Sequence, residues 1–595
     1  MRLSDALKSL QIGREKDGEK RSLCTVWSEN VTDGPDAVPL PEYPRPQLVR
    51  KDWICLNGWW DYAIRPSGEA FHEPDGKILV PFSPETARSG VQRTLHPGET
   101  LWYRRSLPDL RLKKGERLFL HFGAVDERCA VYWNGQCVGR HRNGYLPFSF
   151  EVTKYVREDR NELTVCVRDD TDSGTACRGK QTLHPGGMYY HAQSGIWQTV
   201  WLEPVPETWL DELRITPLPE KRCVRMEMKW NGFSGTEDTG LQEEGAGTVQ
   251  ITLEGKTFAF PAVRHMDVCL PIEDLRLWSP ENPVLYPFHI RTEEDDIDSY
   301  FAMRSFGTGK DEAGRPCLTL NGEPYFFHGV LDQGYWPESL MTPPAEEAMI
   351  FDITEMKRLS FNTIRKHVKI EPARWYYHCD RLGMVVWQDM VNGGGPVNKL
   401  LQTWIPTVIP AVWTRLKDSH YRMFARQDGD ARKRFEEDLV RMVRCLYNVP
   451  SIGMWVLFNE GWGQFDALRL CDAVRKADPT RSIDHASGWF DQGGGDVCSI
   501  HNYFRTLQVF SDSRACVLSE YGGYACEVAA HTMSDTAYGY RTYSRNQYPA
   551  ALKTLMEEIR TLSAEGLSGA VYTQVSDIEE EINGLLTYDR KVCKA

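Results

Sequence analysis

The chain has 595 residues, 41% hydrophobic and 26% charged, a composition of the soluble globular class. That length exceeds what one core can organise, so three or four domains are expected, fewer if one is a barrel of about 250 residues. The 83 acidic residues against 70 basic ones give a net charge of −13, which excludes nucleic acid and anionic membrane as general partners because both need a basic surface.

The amino-terminal stretch from Met1 to Lys20 is charged and lacks the apolar core of a signal peptide, and nothing later approaches 18 consecutive apolar residues. The cytoplasm is the expected location. The 16 cysteines, from Cys24 to Cys593, show no C-x-x-C spacing, and some sit inside apolar runs, as Cys166 and Cys516 do. Reduced core thiols are expected.

Residues 1–205 carry short alternating runs with turn residues between them: Arg117–Phe122, then Ala130–Trp133 ending at Asn134-Gly135, then Asn161–Val167. Asn-Gly between two strands is a strong hairpin signal, and the pattern predicts a β-sandwich of jelly-roll type. Residues 206–304, with strands at Thr248–Leu253 and Tyr286–Arg291, predict an immunoglobulin-like sandwich without the Cys-Trp-Cys spacing of true members. The acidic stretch from Gly235 to Gly247 reads as an exposed loop in it.

From residue 305 the texture changes to apolar runs of four to seven residues alternating with helical patterns such as 466–476. Eight strands are predicted: Tyr325–Val330, Asn362–Lys366, Met384–Gln388, Ile452–Phe458, Ser482–His485, Asp496–Ile500, Ala515–Ser519 and Ala570–Gln574. Eight β/α units in 305–595 predict a TIM barrel, with its site at the carboxyl ends of the strands. The fourth run leads into Asn459-Glu460-Gly461 and the seventh into Ser519-Glu520-Tyr521-Gly522. Two carboxylates on one rim are what glycoside hydrolysis needs, one to protonate the leaving oxygen and one to attack or to activate water. A mechanism that retains configuration would require them roughly 5 Å apart, which adjacent rim positions permit.

At these residues the chain resembles glycoside hydrolase family 2, the β-galactosidases, β-glucuronidases and β-mannosidases. Further motifs carry the likeness: Leu101–Arg105, Val131–Gly135 with Val138-Gly139, Gly144–Phe148, Ser194–Gln198, Leu277–Pro283 and Leu320–Pro324. The resemblance implies that Glu460 is the general acid/base and Glu520 the nucleophile of a retaining mechanism. It implies further that Asn459 binds the substrate 2-hydroxyl, that Tyr503 hydrogen-bonds the nucleophile, and that no cofactor or metal is needed. The chain departs from the family at Arg365-Lys366-His367, where many members have Arg-x-Ser-His. Val386–Asp389 looks more like the mannosidase branch, and Ile582–Leu585 lacks the Asn-x-Lys signature of glucuronidases. A neutral terminal sugar follows, β-galactoside first. β-Mannosidase, β-glucuronidase or another family specificity is the alternative, with an inactive carbohydrate-binding protein on the same scaffold as the non-enzymatic one.

Arg365, His367 and Lys369 alternate along a strand and so share a face, either touching ligand or forming an ion-pair layer. Asp332 and Asp389, after the first and third strands, and Tyr572 with Gln574, at the end of the eighth, are sugar contacts or structural hydrogen-bonding groups. Trp462 and Trp489, like Trp387 and Trp455, are stacking walls or core. No H-E-x-x-H or clustered Cys/His set is present, and Gly493-Gly494-Gly495 lacks a phosphate-loop context. The expected partner is a glycoside or oligosaccharide. The long polar and aromatic loop 178–191 is expected at the active-site rim, its alternative use being an interface that would make a homo-oligomer.

Overall fold

The structure is a computed structural model, and it describes residues 21–29, 33–233, 247–396, 416–534, 538 and 541–595. The acidic stretch Gly235 to Gly247 lies outside these residues except for Gly247 itself. All 16 cysteines are free. Among the described residues no helix is long and apolar enough to cross a membrane.

Two antiparallel sheets form the first β-sandwich. One has six strands in the order Gly76–Val80, Gly58–Pro66, Glu99–Ser106, Glu162–Arg168, Arg128–Trp133, Gln136–Arg142. The other has four, Ile54–Cys55, Val200–Val205, Arg117–Phe122, Phe148–Glu151. Alternation buries Leu101, Tyr103, Val131 and Val165 from one sheet against Leu120, Phe122 and Leu202 from the other. Asn134 and Gly135 both take positive φ, 50° and 77°, the primed turn that the strand twist favours. The second sandwich packs Trp209–Leu218, Cys223–Asn231 and His265–Pro271 over the sheet Lys256–Pro261, Thr248–Leu253, Tyr286–Arg291, Asp296–Phe301, around Trp230 and Ile251.

All eight barrel strands are present: β1 (Phe327–Asp332), β2 (Thr363–Lys366), β3 (Val385–Asp389), β4 (Ile452–Val456), β5 (Ser482–Asp484), β6 (Val497–Asn502), β7 (Ala515–Gly522) and β8 (Leu567–Thr573). They pair in parallel in the order β5-β4-β3-β2-β1-β8-β7-β6. The seam between β5 and β6 is closed by Asp496, whose N–H donates to Ile483 O at 2.8 Å and whose carboxylate accepts from Ile483 N at 2.7 Å. Helices α1 (Glu346–Arg358), α2 (Ala373–Leu382), α3 (Gly429–Cys445) and α4 (Ala467–Ala477) follow the first four strands, and α5 (Tyr548–Ala564) precedes β8. Phe327, Leu331, Trp387, Met454, Val456, Val517 and Val571 fill the barrel, so Trp387 is core. Trp455 points outward into the helical layer, where its indole N–H donates to Asp478 at 2.9 Å.

The barrel is enclosed by both sandwiches. Leu318 and Leu320, from the hairpin of Phe306–Lys310 with Pro316–Leu320, close its amino-terminal end together with Trp278. Tyr145, Tyr190 and Trp197 of the first sandwich share one apolar cluster with Val330, Met341 and Ile370 of the barrel. A fragment comprising 305–595 would expose both faces and is expected to be insoluble, or soluble without a cooperative thermal transition. A monomeric fragment that melts cooperatively near the temperature of the full chain would show that the β-sandwiches add nothing to the barrel's stability.

Candidate active site

The two glutamates reach the barrel mouth by different backbone devices. Beyond Val456 the chain stays extended and paired: Leu457 N–H donates to Asp484 O at 2.9 Å, Ser487 N–H to Phe458 O at 2.9 Å and Glu460 N–H to Ser487 O at 2.8 Å. Glu460 and Gly461 then take φ of 49° and 70° and turn the chain over the mouth. A glutamate in that region is mildly strained, as backbone at functional sites often is. Gly461 cannot be replaced, since a Cβ there would lie 2.3 Å from the Phe490 ring.

In β7, Leu518 points to the outer layer and Val517 into the barrel, so strict alternation would turn Glu520 outward. A bulge prevents this. The pairing with β6 steps from Ile500↔Leu518 to His501↔Glu520, skipping Ser519, and the extra residue re-aims Glu520 inward and sends Tyr521 to the outer cluster. The expectation of adjacent rim positions is corrected here. β4 and β7 stand three places apart around the ring, with β5 and β6 between them, and the carboxyls meet because side chains from opposite walls converge over a narrow, filled interior.

An oxygen of Glu460, an oxygen of Glu520 and a ring nitrogen of His501 all lie within 4.8 Å of one another, and all three residues are buried. Glu520 Oε2 accepts from Tyr503 Oη, and Oε1 accepts from Arg365 Nη1 at 3.1 Å. Burial would raise the Glu520 carboxyl, but His501, Arg365, His367 and the Tyr503 hydroxyl outweigh it and hold the group below its ordinary value. Glu460 Oε1 meets His501 Nδ1 at 2.9 Å. His501 Nε2 faces Ser487 Oγ at 3.0 Å, and Ser487 Oγ donates in turn to Ser519 Oγ at 2.9 Å. Arg365 Nη1 also donates toward His501 Nε2 at 3.4 Å, and Nδ1 is the ring nitrogen that faces Glu460. Two carboxylates and an imidazole could also hold a metal ion, but Arg365 already supplies the cation beside Glu520.

Arg365, on β2, is fully buried and donates through Nε and Nη2 to both oxygens of Asp389 at 2.9 and 3.0 Å. Its Nη2 also donates to Asn459 Oδ1 at 2.9 Å. A guanidinium only donates, so the Asn459 oxygen must face it, and the amide N–H2 is what Asn459 can offer a ligand. His367 Nδ1 lies 2.9 Å from Asp389 Oδ2, and burial pushes this imidazole well below its ordinary value, assisted by the Lys180 charge.

Four sequence candidates are placed away from the carboxyl pair. Lys369 does not share the face of Arg365 and His367, because Val368 takes φ 45° and breaks the alternation. Its ammonium turns away to Gly334 O, Met341 O and Glu371 at 2.7, 2.8 and 2.8 Å. Asp332 is held by Lys366 Nζ at 2.5 Å and by the Gly334 N–H at 2.8 Å. Tyr572 faces the outer layer, its hydroxyl 3.1 Å from that of Tyr548 on α5. Gln574 donates to Asn583 Oδ1 at 2.8 Å and accepts from Gln333 at 2.6 Å.

Trp489 lies beside His501, ring centroids 5.4 Å apart, and Trp462 stacks on Tyr189 at 6.1 Å. Loop 178–191 is therefore at the mouth. Arg178 anchors it, donating from N–H to Asn392 O at 2.8 Å and from Nη1 to Gly394 O at 2.7 Å. Tyr190 Oη donates to Glu581, and the loop lines a 220 Å³ cavity together with Asn392, Gly393 and Trp462. Burial and the Glu460 charge push the Tyr189 phenol up to about 12. Sequence reasoning missed His501 and the Ser487–Ser519 pair. The signal for His501 was its position two residues before Tyr503 on one strand, which puts both side chains on one face.

Residues 84–206 match the family description "Glycosyl hydrolases family 2, sugar binding domain", and residues 315–522 match "Glycosyl hydrolases family 2, TIM barrel domain". The chain is 25% identical over 479 residues to a β-galactosidase of Leuconostoc mesenteroides, covering 71% of this chain and 40% of that protein. It is 26% identical over 402 residues to a β-galactosidase of Oenococcus oeni, covering 63% and 34%. It thus spans well under half the length of these curated relatives. Among solved structures it is similar to a family 2 β-galacturonidase from Eisenbergiella tayi bound to galacturonate (TM-score 0.68, 19% identity, 93% of this chain and 97% of that one). It is also similar to a β-glucuronidase from an uncultured Clostridium (TM-score 0.69, 18% identity, 94% and 97%). At those identities the likeness is one of fold.

Because the Tyr503 hydroxyl is one of the groups lowering Glu520, Tyr503→Phe should move the Glu520 titration to higher pH. Carboxyl ¹³C NMR of glutamate-labelled protein, assigned with Glu520→Gln, measures it. An unchanged or lower midpoint would mean that His501 and Arg365 alone set the charge.

Proposed function

This chain belongs to glycoside hydrolase family 2, and from that premise we propose that it is a retaining exo-β-glycosidase that removes terminal neutral sugars through a covalent glycosyl-enzyme. The carrying observation is the pair of carboxyls with oxygens within 4.8 Å. Retaining enzymes hold the groups about 5 to 5.5 Å apart, whereas an inverting enzyme needs about 6.5 to 9.5 Å to admit a water between them.

The two environments assign the roles. Glu520, held ionised by Arg365 and Tyr503, attacks the anomeric carbon while the bond from that carbon to the leaving oxygen breaks. Glu460, hydrogen-bonded to His501 Nδ1, delivers a proton to the leaving oxygen. Once Glu520 is glycosylated its charge is gone, and Glu460 takes a proton from the incoming water, which attacks the same carbon and releases Glu520. Asn459 donates to the 2-hydroxyl, and Trp462 and Trp489 form the walls.

A neutral sugar is favoured because two cations that could read a uronate are already paired. Lys369 makes three close contacts to oxygen, and Arg365 is spent on Asp389, Glu520, Ser519 and Asn459. Neither has a donor left for a sugar carboxylate. The curated relatives are β-galactosidases, which makes β-galactoside the first substrate to try. Exo action follows from the sandwich loop 178–191 standing at the rim, and the domain limits are placed at residues 205 and 304.

Glu520→Gly should show no turnover until azide is added, and should then yield the inverted glycosyl azide, since azide attacks from the face the carboxylate left. Glu460→Ala should lose about 10²- to 10⁴-fold on substrates with poor leaving groups and far less on activated aryl glycosides, and azide should intercept its glycosyl-enzyme with retained configuration. The opposite pattern of azide products would exchange the two roles. Hydrolysis of no nitrophenyl β-glycoside would favour the carbohydrate-binding alternative.

A further inference from the structure

We propose that Lys180, from the first β-sandwich, is a substrate-binding residue, its ammonium donating to a hydroxyl of the terminal sugar while the neighbouring Glu581 accepts from that hydroxyl. The inference rests on the function proposed above and names the group that reads the sugar.

The cations of the mouth divide sharply by how well they are paired. Arg365 makes contacts of 2.9 to 3.1 Å through Nε, Nη1 and Nη2. Lys366 holds Asp332 and Glu371 at 2.5 and 2.8 Å. Lys369 holds three oxygens at 2.7 to 2.8 Å. Lys180 is as deeply placed, with 7% of its side chain exposed, yet its nearest carboxylate oxygen, Glu581 Oε2, is 3.9 Å away. That exceeds a hydrogen bond, and among the described residues the Lys180 ammonium makes none. A buried ammonium without a close acceptor is costly, and this one stands beside Trp462 at the barrel mouth.

Its position is fixed by what surrounds it. The ammonium lies 5.6 Å from the centroid of the Tyr190 ring and 5.9 Å from that of Trp462, which is two residues beyond Glu460. The Lys180 charge also helps to hold the buried His367 imidazole below its ordinary value. Arg178 and Tyr190, on either side of it in the loop, are bonded to the barrel through Asn392, Gly394 and Glu581. A lysine clamped in this way is preorganised, and little ordering remains when a ligand arrives.

The surroundings also select the chemistry. Glu581 Oε2 already takes the Tyr190 hydroxyl and Gln333 Nε2, the latter at 3.3 Å. Glu579 and Glu580 are bonded to the same loop, at His191 N and Gly187 N. A sugar carboxylate at Lys180 would meet the Glu581 carboxylate. A hydroxyl, which accepts and donates at once, fits an ammonium and a carboxylate 3.9 Å apart.

Lys180→Met keeps the apolar stem against the two rings and removes the charge. On the best neutral aryl β-glycoside its kcat/KM should fall roughly 10- to 100-fold, the range for a hydrogen bond to a charged group. Across a series of monodeoxy analogues, one should be hydrolysed equally well by the variant and the unmodified protein, because the contact is missing from both. Glu581→Gln should weaken turnover of the parent sugar and spare that same analogue, and it carries the test if Lys180→Met does not fold. An equal loss on every analogue would reduce Lys180 to a packing role and overturn the inference. A uronide cleaved better than any neutral glycoside, with Lys180→Met abolishing the preference, would overturn it in favour of carboxylate binding. If the unmodified protein hydrolyses no glycoside, both this inference and the function beneath it fall.

Discussion

The buried ion pair of Arg365 with Asp389 is the constraint on which the mouth of the barrel depends. It joins β2 to the end of β3, and from the same guanidinium bonds run to Glu520 and Ser519 on β7 and to Asn459 beyond β4. One side chain thus ties four strands, including both that carry the glutamates. Burying such a pair contributes little net stability, since desolvation cancels most of the attraction, but removing one partner costs about 3 to 5 kcal/mol because the other charge is stranded. The pair therefore fixes geometry more than it stabilises the fold. A carboxylate placed beside this guanidinium, where both are largely buried, is held ionised without mobile counter-ions.

Around that centre the site uses two departures from regular structure. The left-handed turn at Glu460 and Gly461 carries one carboxyl over the mouth, and the bulge at Ser519 inverts the facing of the next residue. Each is local, and each is held by pairing on both sides, Ser487 against Phe458 and Glu460 in one case and His501 against Glu520 in the other. The third wall comes from another domain. Tyr189 and Lys180 reach Trp462 from the β-sandwich, so the pocket is complete only when sandwich and barrel are packed together, and their shared apolar cluster is part of the site's construction.

Much of this was legible in the chain. Most barrel strands fall on apolar runs, because a parallel strand buried on both faces has no polar side to interrupt it, while β2 (Thr-Ile-Arg-Lys) and β5 (Ser-Ile-Asp) are short and polar. Glu460 and Glu520 were visible for the same reason, each standing where such a run ends. What escaped the sequence depends on long-range geometry. Alternation along 365–369 predicted one face for Arg365, His367 and Lys369, and a single left-handed residue, Val368, broke it. Tyr572 followed an inner-facing pattern only if the register of β8 was known. Lys180 offered no local signal of function, being a lysine in a loop, and His501 only its spacing from Tyr503, while their partners Glu581 and Glu460 stand far away along the chain.

The central claim is that Glu520 and Glu460 act in two displacements at one carbon, and the configuration of the first product tests it most directly. Proton NMR of the hydrolysis of an aryl β-galactoside, or of whichever β-glycoside the protein cleaves best, resolves the anomers before they equilibrate. The account predicts that the β-anomer of the free sugar appears first and the α-anomer only later, by mutarotation. The α-anomer appearing first would mean a single displacement by water, which carboxyl oxygens lying within 4.8 Å do not accommodate, and the mechanism derived from this site would be contradicted.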